Sequence, residues 1–541
     1  MADSSKFQVR LPLILAATLA AGMFIGLQLP RSDKNLRFFQ GRDQSGKFAG
    51  TLDEILRYID ARYVDSVDVS TLKVGAIGHL LELLDPHSTY ITPEELKAVD
   101  DDMNGDFEGI GVEFLVVKDT INVVTPISGG PSETAGLLSG DKIIRINDSI
   151  VAGVKIDNAR IFSMLRGPKG SEVNLGIQRS LDTSLLNFTI VRDVIPLKSV
   201  DIAYMLEQGI GYVKINRFSA RTYQEFMDAI RPMAEDQGMK QLVIDLRGNP
   251  GGFLNESVDL LGQLFPEGKL LVYTEGRTEE RNNYKSSGRM RFNIDHVAVL
   301  IDEGSASASE IVAGAIQDHD RGWIIGRRSF GKGLVQEQYP LGDGGALRLT
   351  VARYFTPSGR CIQRDYKHGD YAGEAARRWE NGELSDSSRI AQADSTPFYT
   401  GMGRIVYGGG GITPDVFIPL DTSFVSDFYI QARQQVPNYA SKWMQTKQRN
   451  TLPADLNTFV NSFNISDADW NDFVAFIHAE GIKPDPAALT RCKNELKLQL
   501  KARIGKMLFQ DAGFFKVLNN DDPAVDKAIQ LLKTNQPLVK K

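Results

Sequence analysis

Two short apolar runs in this chain are each followed by a small-residue turn and then by a helical pattern. Residues 241–246 lead into the glycine-rich turn 247–252, and residues 297–301 lead into the serine-rich turn 304–310. Apolar runs that alternate with helices are typical of an α/β fold, in which reactive groups gather beyond the carboxyl ends of parallel strands. The pattern predicts an α/β core over residues 193–420, with both turns at one edge of its sheet.

The serine-rich turn contains three alternating serines, of which Ser307 is the central one. Residues 311, 312, 315 and 316 are apolar, so a helix is predicted to begin directly after Ser307. The free N–H groups and the dipole of a helix N-terminus favour negative charge on a reacting carbonyl oxygen. Serine is also a common helix N-cap, and the residues alone do not choose among the three hydroxyls.

Lys332 follows Ser307 by 25 residues and lies between Gly331 and Gly333. A serine needs a base to become a nucleophile, and a buried lysine is a base once burial has lowered its pKa from about 10.4. Gln336 is four residues further on, about 13 Å away in a straight strand. Contact with the amine therefore requires either that the long side chains converge or that the glycines bend the chain. The alternative for the same residues is an exposed turn lysine.

Three stretches in this order resemble the C-terminal processing (tail-specific) serine proteases. They are DLRGNPGG at 245–252, GSASASEIVAGAIQD at 304–318 and SFGKGLVQ at 329–336. The resemblance implies that Ser307 is the nucleophile, Lys332 the general base and Gln336 the group that assists the base.

The same resemblance implies an oxyanion hole made of backbone N–H groups. One donor is implied at Ala308 and the other at Gly251 or Gly252 of the glycine-rich turn. Residues 366–400 are an apparent insertion relative to the family, and their role is left open by the sequence.

Residues 101–192 resemble a PDZ domain. Gly109, Ile110, Gly111 and Val112 match its carboxylate-binding loop, and residues 139–147 match its GDxIxxIN strand. Such a domain holds the carboxylate of a peptide C-terminus with backbone N–H groups and adds the tail as a strand. The predicted partners are therefore the C-terminal tails of proteins or peptides.

The predicted fold class is an α/β protease core with an inserted, β-rich PDZ domain, an N-terminal helical segment and a C-terminal helical domain. Residues 31–100 are interpreted as a linker and N-terminal helical region, and residues 421–541 as the helical domain. We expect the helical domain to be a structural cap. The alternatives are that its surface binds an adaptor protein or a second copy of the chain.

Residues 1–30 are interpreted as a membrane anchor or a signal segment. Residues 11–29 form an uncharged run of 19 residues, about one bilayer span, flanked by basic residues. The expected location is the periplasmic side of the cell envelope, anchored in the inner membrane by this run. The alternative is a cleaved signal and a soluble periplasmic enzyme, since small residues at 20–22 offer a cleavage site.

Composition and motif spacing exclude several other classes. A net charge of −6 argues against nucleic acid as the main partner. With two cysteines and no His/Cys cluster, neither a metal nor another cofactor is predicted. A Ser–His–Asp triad is disfavoured because no motif places any of the six histidines beside Ser307. A non-catalytic PDZ scaffold and an esterase that uses the same pair remain as alternatives.

Overall fold

The computed structural model describes residues 50–179, 184–366, 371, 373–390, 395–446, 452–483, 485–534 and 538 of the chain. The chain divides into two compact units, Met1–Leu80 and Leu81–Lys541. The predicted anchor or signal segment at 1–30, including the run 11–29, lies outside the described residues. Within the described ranges, no helix has both the length and the apolar character needed to cross a membrane.

The first unit contains helix α1 (Thr51–Arg62) and most of helix α2 (Val69–Glu82). The helical periodicity that begins at residue 51 thus forms two helices with a break between them. No residue of α1 is buried, and Leu52 and Ile55 each expose 49% of their surface.

The second unit begins with strand β1 (Thr89–Ile91) and helix α3 (Pro93–Asn104), followed by a β-rich module. The strands of the module are β2 (Asp106–Gly109), β3 (Val112–Val117), β4 (Thr120–Pro126), β5 (Lys142–Ile146), β6 (Ser149–Ile150), β7 (Glu172–Gln178), β8 (Leu185–Val191) and β9 (Asp193–Pro196), and its helices are α4 (Pro131–Thr134) and α5 (Asn158–Leu165). The main sheet has the order β3-β4-β5-β7-β8, so β3 is an edge strand directly after the predicted carboxylate loop.

Strands and helices alternate through the predicted protease core. The strands are β10 (Val200–Glu207), β11 (Ile210–Ile215), β12 (Gln241–Asp245), β13 (Leu270–Glu275), β14 (Asn282–Lys285), β15 (His296–Ile301), β16 (Gly322–Gly326), β17 (Leu334–Pro340), β18 (Ala346–Phe355), β19 (Pro397–Tyr399), β20 (Ile405–Tyr407) and β21 (Val416–Phe417). The helices are α6 (Thr222–Glu235), α7 (Leu254–Gly262), α8 (Ala308–Asp318) and α9 (Glu374–Glu380).

The central sheet of the core has the order β10-β11-β12-β15-β16-β21, and every pairing from β11 to β21 is parallel. Asp245 near the end of β12 lies opposite Leu300 near the end of β15. The two reactive turns therefore leave the sheet side by side, as the two apolar runs predicted.

A second sheet carries the strand that follows Lys332. Its order is β1-β18-β13-β14, with β17 also paired to β18. Strand β1 pairs with β18 through Tyr90 opposite Leu347, so residues 89–91 belong to a sheet of the protease core. The sequence interpretation had placed them in the N-terminal helical region, because a run of three residues is too short to show a strand period.

The chain ends in helices α10 (Asp427–Gln434), α11 (Val436–Thr446), α12 (Leu456–Ser462), α13 (Asp467–Ala479), α14 (Pro486–Asn519) and α15 (Pro523–Lys533). Helices α10 to α14 share one apolar cluster that includes Tyr439, Phe459 and Phe473. Helix α15 instead packs Val525 and Leu531 against the central sheet, on the face opposite α6, α7 and α8. The predicted fold class is confirmed, and the last helix is in addition a layer of the protease core.

Candidate active site

Ser307 lies at the tip of a strained turn between β15 and α8. Its φ of 55° is left-handed, which is unfavourable for a residue with a side chain. The residues on either side, Ala306 and Ala308, are buried, while Ser307 itself is half-buried. Strained backbone of this kind, held by well-packed surroundings, is typical of a nucleophile presented at the start of a helix.

The two neighbouring serines have structural partners. Ser305 donates its hydroxyl to the Leu246 carbonyl at 2.9 Å, and Ser309 donates its hydroxyl to the Asn249 carbonyl at 3.1 Å. Both are fully buried and tie the serine turn to the glycine-rich turn. Of the three serines that the sequence could not separate, Ser307 is the one that is partly exposed.

Lys332 lies in a loop before β17, and Gly331 in this loop has a φ of 90°, outside strand geometry. Its amine donates to Gln336 Oε1 at 3.1 Å, a contact that a straight strand would not permit. Gln336 in turn donates its Nε2 to the His87 carbonyl at 2.5 Å, so the amide is held with its oxygen toward the amine.

The surroundings of Lys332 lower its pKa. Burial is the largest cause, and the positive charge of Arg348 acts in the same direction. The negative charges of Glu310 and Asp85 oppose them. Because the charged form is disfavoured overall, the neutral amine that proton abstraction needs is present at a lower pH than for a lysine in water.

Two buried side chains bind both Ser307 and Lys332. The Glu310 carboxylate accepts the N–H of Ser307 at 2.9 Å and the N–H of Lys332 at 2.8 Å. The Tyr354 hydroxyl lies 3.1 Å from the Ser307 carbonyl and 2.7 Å from the Lys332 carbonyl. The backbones of the two residues are thus held together from two directions, although 25 residues separate them in sequence.

The glycine-rich turn lies against the serine turn. Gly251 has a φ of 96°, and a Cβ at this position would lie 2.6 Å from Ser307 Cβ and 2.8 Å from the Ala308 nitrogen. Only glycine fits there, because any side chain would enter the space of the nucleophile.

The two glycines offered by the sequence differ in their N–H groups. The Gly251 N–H donates to Asn249 Oδ1 at 2.8 Å and is therefore occupied. Gly252 instead lies beside Phe218 in an isolated bridge that leaves its own N–H out of the pairing. Within the described part of the chain, the N–H groups of Gly252 and Ala308 have no acceptor.

Sequence reasoning overlooked four residues that build this site. Glu310 is part of an S-x-x-E capping-box pattern that begins at Ser307, so a local signal for it existed. Asn249 lies inside the glycine-rich turn 247–252, so a local signal existed for it too. Tyr354 and His87 contact the site only through the fold.

In the described part of the chain, which excludes His368, the two histidines His319 and His87 have partners other than Ser307. His319 Nε2 donates to the Leu270 carbonyl at 2.6 Å, and His319 lies at the far end of α8 from Ser307. The His87 ring is within 2.7 Å of the Tyr371 hydroxyl, and burial, assisted by the Lys332 charge, lowers its pKa to about 4. Among the described residues, no group of three or more His, Cys, Asp or Glu is placed to hold a metal ion.

The loop Gly109 to Val112 has the geometry of a carboxylate site in the β-rich module. Gly111 has a φ of 69°, and Ile110 is buried and anchors the loop by accepting at its carbonyl from the Ser132 hydroxyl at 2.7 Å. Within the described residues, the N–H groups of Ile110 and Gly111 have no acceptor. The open edge of β3 begins immediately after them.

Comparison with known proteins finds relatives across both modules. Residues 209–371 match peptidase family S41, residues 109–190 match the PDZ domain, and residues 428–510 match a family of unknown function (DUF8443). A carboxy-terminal-processing protease of Bartonella bacilliformis is 39% identical over 321 residues, which are 57% of this chain and 71% of that protein. The chain belongs to the carboxy-terminal processing proteases.

Other relatives of the protease cover similar shares. The carboxy-terminal processing protease CtpB of Bacillus subtilis is 35% identical over 352 residues, 64% of this chain and 72% of that protein. A solved PDZ domain of a carboxy-terminal protease from Vibrio cholerae, in complex with peptide, is 31% identical, covering 17% of this chain and 99% of that one with a TM-score of 0.16. The predicted family, the PDZ domain and the serine-type peptidase class are confirmed.

Proposed function

We propose that this protease cleaves protein substrates near their C-terminal tails with Ser307 as nucleophile and Lys332 as base. The observation that carries the proposal is the pair of buried bridges from Glu310 and Tyr354, which hold both residues in one site. The lowered pKa of Lys332 supports its part as the base.

The chemistry follows from these groups. Ser307 Oγ attacks the peptide carbonyl while Lys332 Nζ takes the hydroxyl proton, and the carbonyl oxygen becomes an oxyanion. Ala308 and Gly252 donate their free N–H groups to that oxygen. Lys332 then gives the proton to the leaving amine, which departs and leaves an acyl ester on Ser307. Water, deprotonated by the same amine, hydrolyses the ester and releases the acid.

Gln336 keeps the amine in place through this cycle. Its Oε1 accepts from Lys332 in either protonation state, while its Nε2 is fixed on the His87 carbonyl. Gly251 is assigned a steric role instead of a donor role, because its N–H is already bound by Asn249.

The PDZ loop recognises the C-terminal end of the substrate. The α-carboxylate of a tail binds the N–H groups of the Gly109 to Val112 loop, and the tail extends the sheet at β3. Charge-assisted hydrogen bonds to backbone N–H groups are stronger than neutral ones, so a free carboxylate is favoured over an amide.

A matched pair of substrates tests the tail preference. We expect an unstructured protein with a free α-carboxylate to be cleaved with a kcat/KM about 10-fold higher than the same protein with an amidated terminus, because one charge-assisted contact is lost. The change is expected in KM, with kcat at saturation unaltered. The control amidates a side-chain carboxylate near the tail instead. Equal kcat/KM for the free and the amidated termini would contradict tail recognition.

The location and the assembly of the protease are a separate proposal. The uncharged run 11–29 supports an anchor in the inner membrane with the catalytic domain on the periplasmic side. Contact of the helical region 421–541 with an adaptor or with a second copy remains a prediction from its amphipathic pattern.

A further inference from the structure

Four buried charged side chains lie beside the loop that leads to Lys332. They are Arg328, Glu374, Arg378 and Glu383, each exposing 6% or less of its surface. The last three belong to the apparent insertion 366–400, whose role the family resemblance left open. Buried charges are costly unless they are fully paired, so such a cluster is retained for a specific reason.

Arg378 on α9 binds the backbone of this loop. Its guanidinium donates to three consecutive carbonyls, at 3.2 Å for Arg328, 2.9 Å for Ser329 and 3.4 Å for Phe330. Glu374 orients the guanidinium by accepting from Nε at 3.1 Å. A planar guanidinium with five donors is suited to gather several acceptors at once, which a lysine amine is not.

The opposite side of the same loop is bound by an anion. Glu310 accepts the N–H of Gly331 at 2.7 Å, the N–H of Lys332 at 2.8 Å and the hydroxyl of Ser329 at 2.5 Å. The carbonyls of the loop thus face a cation and its N–H groups face a carboxylate. The peptide unit between Phe330 and Gly331 is bound from both sides, its carbonyl by Arg378 and its N–H by Glu310.

We propose that Arg378 is a positioning residue for proton transfer from Ser307 to Lys332, acting through the carbonyls of residues 328–330. This inference rests on the proposed function of Lys332 as the base. It assigns the insertion a part in the reaction: α9 supplies the cation that holds the base-bearing loop against the nucleophile turn. Arg378 does not touch the reacting atoms.

The neighbouring arginines are bound to other partners, so Arg378 is the one that holds this loop. Arg328 is engaged by Glu383 with two contacts, at 2.7 and 2.8 Å, and donates to the Gly410 carbonyl at 2.7 Å. The Arg364 guanidinium stacks between the rings of Phe330 and Tyr371, 3.9 and 3.8 Å from their centres. The charged and titratable groups that act on Lys332 itself are Arg348, Glu310, Asp85 and His87.

Glu310 and Arg378 also interact electrostatically. Burial raises the pKa of Glu310 to about 7, and the negative charge of Glu310 opposes the lowering of the Arg378 pKa that burial causes. The carboxylate and the guanidinium therefore attract each other across the loop.

The test compares Arg378→Gln with Arg377→Gln in the full chain. Arg377 precedes Arg378 on α9, is exposed, and pairs its side chain with Glu374. For Arg378→Gln we expect kcat to fall about 100-fold, the scale of a 1 Å misplacement, with KM within about twofold of wild type. Arg377→Gln is expected to match wild type.

Each possible result of this test either supports or overturns the role assigned to Arg378. A kcat within about twofold of wild type for Arg378→Gln overturns it, and so does a loss of kcat/KM that lies in KM alone. If Arg378→Gln does not fold, Arg378→Lys is judged by the same criteria, with intermediate effects expected. Lys332→Ala is measured in parallel: activity in that variant refutes the base assignment itself, whereas an inactive Lys332→Ala beside a normal Arg378→Gln refutes only this inference.

Discussion

Replacing Ser307 with alanine is expected to lower kcat/KM by about 10⁶-fold, the loss typical of removing a catalytic serine. Ser305→Ala and Ser309→Ala are the matched variants in the same turn, because each removes one hydroxyl of the same size. Their hydroxyls bond to the Leu246 and Asn249 carbonyls, so the expected effect is a loss of about 1–3 kcal/mol in the free energy of unfolding.

Cleavage of one unstructured protein by the three purified variants, together with their thermal unfolding, separates the roles. We expect the activity of Ser305→Ala and Ser309→Ala to stay within about 10-fold of wild type, since neither hydroxyl reaches substrate. An active Ser307→Ala together with an inactive Ser305→Ala or Ser309→Ala would show that another serine of the turn is the nucleophile.

Lys332→Ala is expected to reduce kcat/KM by about 10⁴-fold or more, because Ser307 then has no base. Lys332→Arg keeps a positive charge but is expected to be equally inactive, since a guanidinium does not release its proton near neutral pH. Tail binding is expected to persist in both variants, because the PDZ loop lies in a different sheet.

Turnover and equilibrium binding of a fluorescent tail peptide distinguish these effects. Lys285, which is exposed, provides the control variant Lys285→Ala with unchanged kinetics. An active Lys332→Arg would show that the amine acts by charge alone and not as a base. Loss of tail binding in Lys332→Ala would indicate a folding defect instead of a chemical one.

The placement of the two reactive turns was predictable because the local sequence pattern determines it. Apolar runs that form parallel strands end at one edge of a sheet, and small residues such as Gly251 are needed where two turns meet. Naming Ser307 and Lys332 needed the family resemblance in addition, because the residues alone neither choose among the three serines nor exclude an exposed turn lysine. The choice between Gly251 and Gly252 as donor could not be made from the sequence, because it depends on the side chain of Asn249 turning back onto one N–H.

The contacts that bring the pair together were not predictable from spacing. Tyr354 reaches both backbones from the far end of β18, and Gln336 reaches the amine only because the glycines bend the chain. Arg378 comes from an insertion with no catalytic motif. Helix α15 was interpreted as part of a separate domain, since an amphipathic pattern shows that a face is buried but not against which partner.

The rate at which a fluorophosphonate modifies Ser307, measured against pH in wild type and in Lys332→Ala, tests the central claim most directly. This reagent reports the activated hydroxyl without requiring tail binding or deacylation. The account predicts labelling of Ser307 alone, with a rate that rises with pH to a midpoint below the value of about 10.4 for a lysine in water, and labelling at least about 10³-fold slower in Lys332→Ala. Equal labelling rates in the two proteins, or a label on Ser305 or Ser309, would contradict it.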